Sequence, residues 1–158
     1  MTKILGVDPG LTHTGYGIIE HTQNKLTFIA AGTISTKTKE ELPTRLAYLS
    51  SELSKVVETY QPEQAAIEQT FVSHNGQSTL KLGQARGALL LTLAQHHLPI
   101  SEYAPNTVKK SLSGSGHADK SQMTAMVNML LPGANITQAD AADALAIAIC
   151  CAHHTALK

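Results

Sequence analysis

Apolar residues recur along this chain in two rhythms. Near the N-terminus, Ile4, Leu5 and Val7 form a short run without helical spacing, closed by the turn signal Asp8-Pro9-Gly10, which predicts a buried central strand. Gly15 to Glu20 and Leu26 to Thr36, separated by polar His21 to Lys25, have the spacing of an antiparallel meander with the first strand. The rhythm then changes. Leu42, Leu46, Leu49, Leu53, Val56 and Val57 fall on one helical face, opened by Pro43 and closed at Gln61-Pro62. Ala65, Ala66 and Ile67 predict a fourth strand that ends in Glu68 and returns to pair with the first. Beyond the polar loop from Phe71 to Ser78, a helix runs from Thr79 to about Gln95, Pro99 to Tyr103 reads as a fifth strand, and Pro105 to Leu112 as a short helix whose Lys109 and Lys110 point outward. Two helices, roughly Ala118 to Leu131 and Thr137 to His154, close the chain. The expectation is an α/β fold, a five-stranded sheet flanked by helices.

Length and composition narrow the class. The 158 residues are expected to form one domain, 1–158, able to bury a core without staples. Adjacent Cys150 and Cys151 lie in an apolar run and suit reduced core thiols, which predicts a cytoplasmic setting. No signal sequence and no stretch of apolar residues long enough to span a bilayer is expected. Twelve basic and twelve acidic side chains cancel, which argues against non-specific coating of nucleic acid. The distribution is uneven, however: from 69 to 139, Lys81, Arg86, Lys109, Lys110 and Lys120 face only Glu102 and Asp119, a modest basic territory usable for phosphate.

The candidate chemistry lies in four acids. Asp8 and Glu68 both stand at the C-terminal ends of buried strands, where ligands and catalytic groups collect in such sheets. Asp8 also reads as ordinary β-turn chemistry. Asp140 and Asp143 are three apart on the last helix and so share a face. Asp140 could instead complete a cap begun at Thr137, whereas Asp143 sits among Ala, Leu, Ile and Cys, where a charge needs a partner or a metal. Four converging carboxylates would repel each other and any phosphate. Divalent cations such as Mg²⁺ or Mn²⁺ relieve both problems, and a pair of them suits phosphodiester hydrolysis.

These stretches together resemble the RuvC family of Holliday-junction resolvases, within the RNase H-like superfamily of nucleases and integrases. The resemblance rests on Gly6-Val7-Asp8-Pro9-Gly10 with Thr14-Gly15-Tyr16-Gly17, on Ala66-Ile67-Glu68-Gln69, on Leu80-Lys81-Leu82-Gly83-Gln84-Ala85-Arg86-Gly87, and on Gln138 to Ala146. It implies an RNase H-like fold with a mixed sheet, and Asp8, Glu68, Asp140 and Asp143 as metal-binding catalytic carboxylates with two ions per site. It further implies symmetric paired nicks in four-way junction DNA by a homodimer, and a partnership with the RuvA/RuvB branch-migration complex.

By the same likeness, Phe71 resembles a wedge that stacks on bases, although a core anchor is an equal alternative. Lys109 and Lys120 match basic positions near the scissile phosphate, and Lys81, Arg86 and Lys110 are further candidates for DNA contact, or members of a solvated face. Gly83 and Gly87 mark either a dimer interface or close packing against the sheet. His74 stands where relatives often carry Lys, so its charge follows pH. The chain ends at Lys158 where many relatives continue in a basic tail, so a weaker grip on junction arms is expected unless the sequence was trimmed. Competing classes are an actin-like ATPase, which needs two such domains, an RNase H-like nuclease acting on RNA or flaps, and a binder that recognises junctions without cutting.

Overall fold

The structure is a computed structural model that describes residues 1–69 and 75–156. Three strands open the chain, β1 (Thr2–Asp8), β2 (His13–Thr22) and β3 (Lys25–Ser35), followed by α1 (Leu42–Tyr60) and β4 (Gln64–Glu68). Then come α2 (Gly76–Gln95), β5 (Ile100–Tyr103), α3 (Pro105–Ser113), α4 (Lys120–Leu130) and α5 (Ala139–Ala156). The sheet order is β3-β2-β1-β4-β5, with β1, β2 and β3 antiparallel and β4 and β5 parallel to β1. This is the expected mixed sheet with β1 at its centre.

Strand alternation splits the core in two. Leu5, Val7, Ile18, Ala65 and Ile67 point to one face and pack with Leu49 and Leu53 of α1 and Leu89 and Leu93 of α2. Ile4, Ile19 and Ala66 point to the other, against α3, α4 and the apolar length of α5 from Leu145 to Ala152. A strand buried on both faces cannot alternate polar and apolar residues, which explains the continuous run Ile4-Leu5 followed by Val7.

Glycine sets how closely α5 rides on the sheet. A Cβ on Gly6 would lie 2.1 Å from the Ala144 carbonyl oxygen, and one on Gly15 would lie 2.1 Å from that of Asp140. The helix backbone therefore rests directly on β1 and β2. By contrast, a Cβ on Gly83 or Gly87 would meet nothing within 4 Å, so these glycines of α2 do not serve packing against the sheet. The last helix begins at Ala139, which makes Gln138 rather than Thr137 its flanking residue and weakens the capping account of Asp140.

Candidate active site

The register of the sheet brings the first two acids together. Val7 of β1 pairs with Ile67 of β4 in parallel, so Asp8 and Glu68 occupy the next rung at the same edge. Both follow the alternation of Gly6 and Ala66 and point to the α5 face. Gly15 is the β2 partner of Asp8, and the Asp140 carbonyl sits on Gly15, which delivers the first turn of α5 beside Asp8. Asp143, one turn further on, shares that face.

All four acids line one cleft of about 600 Å³. Its walls are Val108 of α3, Met123 of α4, and Ala146 and Ile147 of α5. Lys109 and Lys120 line it as well. Lys109 thus turns inward, contrary to the outward direction expected from sequence, while Lys110 lies exposed on the other side of α3 beside His153 and His154. Adjacent helical residues diverge by about 100°, so only one of two neighbouring lysines can face a given cleft.

Burial and mutual repulsion dominate the electrostatics. The Asp8 carboxyl is pushed from its ordinary 3.8 up to about 8, first by burial and then by the charges of Glu68, Asp143 and Asp140. Glu68 is also raised, chiefly by burial, although its hydrogen bond from Asp8 and the charges of Lys109 and Lys120 pull the other way. Asp143 rises through burial, opposed by Lys120 and Lys109. Without further positive charge the site retains protons it would otherwise lose. That is the electrostatic demand a hard divalent cation meets, and oxygen-only donors suit Mg²⁺ or Mn²⁺. Among the described residues no three acidic, His or Cys side chains converge tightly enough to ligate a single ion as they stand. Asp8, Glu68, Asp140 and Asp143, all oxygen donors lining one cleft, are the residues that would hold a divalent cation there.

The remaining candidates divide. Lys81 is exposed on α2. Arg86 is not free: its Nε donates to the Glu68 carbonyl oxygen at 3.2 Å, and its guanidinium pairs with Glu102. Phe71 and His74 lie outside the described residues. Sequence reasoning passed over Asp119, which lines the cleft while capping α4 reciprocally with Gln122, a spacing that was legible as a capping box. It also passed over Arg45, which is buried and donates to the hydroxyls of Thr36, just past β3, and of Thr12, in the segment after Asp8.

Residues 4–151 match the family described as "Crossover junction endodeoxyribonuclease RuvC". The protein of that name from Brucella anthropi is 53% identical over 152 residues, covering 96% of this chain and 88% of the relative. Its namesake from Gluconobacter oxydans is 53% identical over 156 residues, covering 99% and 93%. Among solved structures, T. thermophilus RuvC in complex with a Holliday junction substrate superposes with a TM-score of 0.93 at 29% identity, covering 99% of this chain and 96% of that one.

Proposed function

As a member of the RuvC family of crossover junction endodeoxyribonucleases, this chain is a nuclease that resolves Holliday junctions, and we propose that it does so by symmetric paired nicks at the cleft of Asp8, Glu68, Asp140 and Asp143. The observation that carries the reading is the convergence of four half-buried acids from β1, β4 and α5 with two lysines in a single cleft. Held by these carboxylates, two Mg²⁺ ions, with Mn²⁺ as a substitute, would supply Lewis acidity at the scissile phosphate and a lowered pKa for the attacking water.

The chain's own residues do the rest. Lys109 and Lys120 bring positive charge from α3 and from the first residue of α4, where they would hold phosphate oxygens and counter the repulsion of four acids. The apolar wall of Val108, Met123 and Ile147 limits water around the carboxylates and strengthens these contacts. Lys81 and Lys110, exposed to either side, would track phosphates of the junction arms, and Phe71 would stack on bases at the crossover. The protein would act as a homodimer on a two-fold substrate, within one domain per subunit, in the cytoplasm, and in concert with the RuvA/RuvB complex. A junction binder that does not cut would gain nothing from crowding four acids beside DNA.

The test uses a labelled four-way junction and a linear duplex of the same sequence, each with Mg²⁺ or EDTA. Paired, metal-dependent nicks in the junction alone are expected. The Asp143→Asn variant should lose cleavage by at least about 10³-fold and keep junction affinity in EDTA, since without metal the removal of negative charge cannot weaken phosphate attraction. Wild-type cutting by that variant would overturn the assignment of Asp143.

A further inference from the structure

Glu68 is the last residue of β4, and the chain leaves the sheet directly after it. Its neighbour Gln69 donates the final ladder hydrogen bond, to the Tyr103 carbonyl at 2.9 Å. The Glu68 carbonyl is met instead by Arg86 of α2, at 3.2 Å from Nε. The same guanidinium is held by Glu102 of β5, whose register partner on β4 is Ile67. Flanking it on α2, Ala85 and Leu89 are fully buried in the core that contains Val7 and Ile67. One planar fork therefore joins a helix anchored in the core, the end of β4 and the adjacent strand.

We propose that Arg86, oriented by Glu102, is a positioning residue for cleavage: it fixes the Glu68 peptide and thereby aims the Glu68 carboxylate into the cleft. This rests on the metal-ligand reading of Glu68. It reassigns Arg86 from the DNA-contacting set, because the arginine has only 17% of its side chain exposed and its Nε and Nη2 both donate to protein acceptors. Partly exposed ion pairs add little to global stability, so the value of this pair lies in geometry. A carboxylate at a strand terminus has one flank open, and a residue that acts through such a ligand typically changes metal affinity or activity by about 10–100-fold.

The two roles predict opposite behaviour for Glu102→Gln. If Arg86 contacts DNA, removing the competing acid frees its charge, tightens junction binding and leaves cleavage intact. If Arg86 positions Glu68, Glu102→Gln slows cleavage several-fold with the junction Kd in EDTA unchanged. Arg86→Gln should cut about 10–100-fold more slowly, with Kd and the salt dependence of binding as in wild type. Arg86→Lys should remain impaired although it keeps the charge.

A readout without DNA completes the test: Mn²⁺ titrated into folded protein, followed by calorimetry, with circular dichroism confirming the fold. The midpoint should rise for Arg86→Gln and Glu102→Gln. Unchanged cleavage and Mn²⁺ midpoints in both variants, or a weaker junction Kd with a salt slope reduced by about one for Arg86→Gln, would overturn the proposal. Glu68→Gln is run beside them. If that variant cuts normally, the reading of Glu68 fails; if it is inactive while the Arg86 and Glu102 variants behave as wild type, only the positioning role fails.

Discussion

Asp8 holds its proton far above the ordinary carboxylate range. In an unfolded chain this carboxyl binds a proton only below its ordinary 3.8, whereas in the folded protein it keeps one up to about 8. Between those values the folded state binds more protons than the unfolded state, so its stability falls as pH rises from about 4 to 8. Glu68 and Asp143, raised by burial, act in the same direction. His153 acts oppositely, because burial lowers its pKa and its contribution is lost as pH falls below its ordinary 6.5. Comparing wild type with Asp8→Asn in EDTA removes the histidine from the difference. The variant should gain on wild type as pH rises from 5 to 8, by on the order of 10 °C in Tm, from about 1.4 kcal/mol per pH unit and about 2–4 °C per kcal/mol for a chain of this size. Mg²⁺ should close the gap by stabilising wild type alone. Parallel melting curves would show that Asp8 is not the strained group. At this scale Asp8, Glu68 and Asp143 were legible because each breaks a local rule: an acid ending an apolar strand, or an acid within an apolar helix. The partner of Arg86 was not, because it depends on how α2 crosses β5, and no local rule contains that crossing.

Between elements, the decisive relation is the distance of α5 from the sheet. The five strands, the pairing of the first four and the five helices could be anticipated from periodicity, since Leu49, Leu53, Val56 and Val57 of α1 do form a buried face and β4 does pair with β1, whereas the place of β5 beside β4 could not. How tightly the helices dock could not, because a glycine in a sequence serves a turn, a cap or a close approach equally well. Of the glycines in question, Gly6 and Gly15 proved to be contacts for α5, and Gly83 and Gly87 proved open. An added methyl at Gly15 must push the Asp140 carbonyl away from 2.1 Å, and overpacking of this kind costs about 1–3 kcal/mol. Gly15→Ala should therefore lower the urea midpoint by a corresponding amount. Because the displaced carbonyl belongs to Asp140, cleavage should fall by more than the folded fraction does, about 10-fold or beyond, measured at a temperature where the variant is fully folded. A loss of activity that merely tracked unfolding would mean that the seat of α5 and the aim of its acids are separable.

At the scale of the whole molecule, the proposed paired cuts require two of these clefts, one from each of two chains. The homodimer proposed for a two-fold junction would join the same patch of both subunits. The outward side of α2 has the character of such a patch. Leu80 is 62% and Leu91 58% exposed, Gly83 and Gly87 lie between them on the same helical stripe, and the opposite side of the helix is committed to the core through Ala85, Leu89 and Leu93. Two large apolar side chains separated by bare backbone let a second helix approach closely and bury both leucines, each worth about 1.5–3 kcal/mol when removed from water. A glutamate in that seam adds two buried charges across the two-fold axis. Leu91→Glu should thus weaken dimerisation by at least about 100-fold, seen as monomer in sedimentation at micromolar protein. Met129→Glu serves as the control, since Met129 of α4 is 70% exposed on a different element and should leave the dimer intact. The cutting pattern then follows from geometry. A monomer carries a complete set of carboxylates, so it should still nick a junction strand, but the second nick becomes an independent encounter. Nicked, unresolved junctions should accumulate for Leu91→Glu, whereas wild type should pass from intact junction to paired products. If the variant remained dimeric, or if a true monomer still produced paired cuts without a nicked intermediate, the α2 face would not be what joins the two active sites.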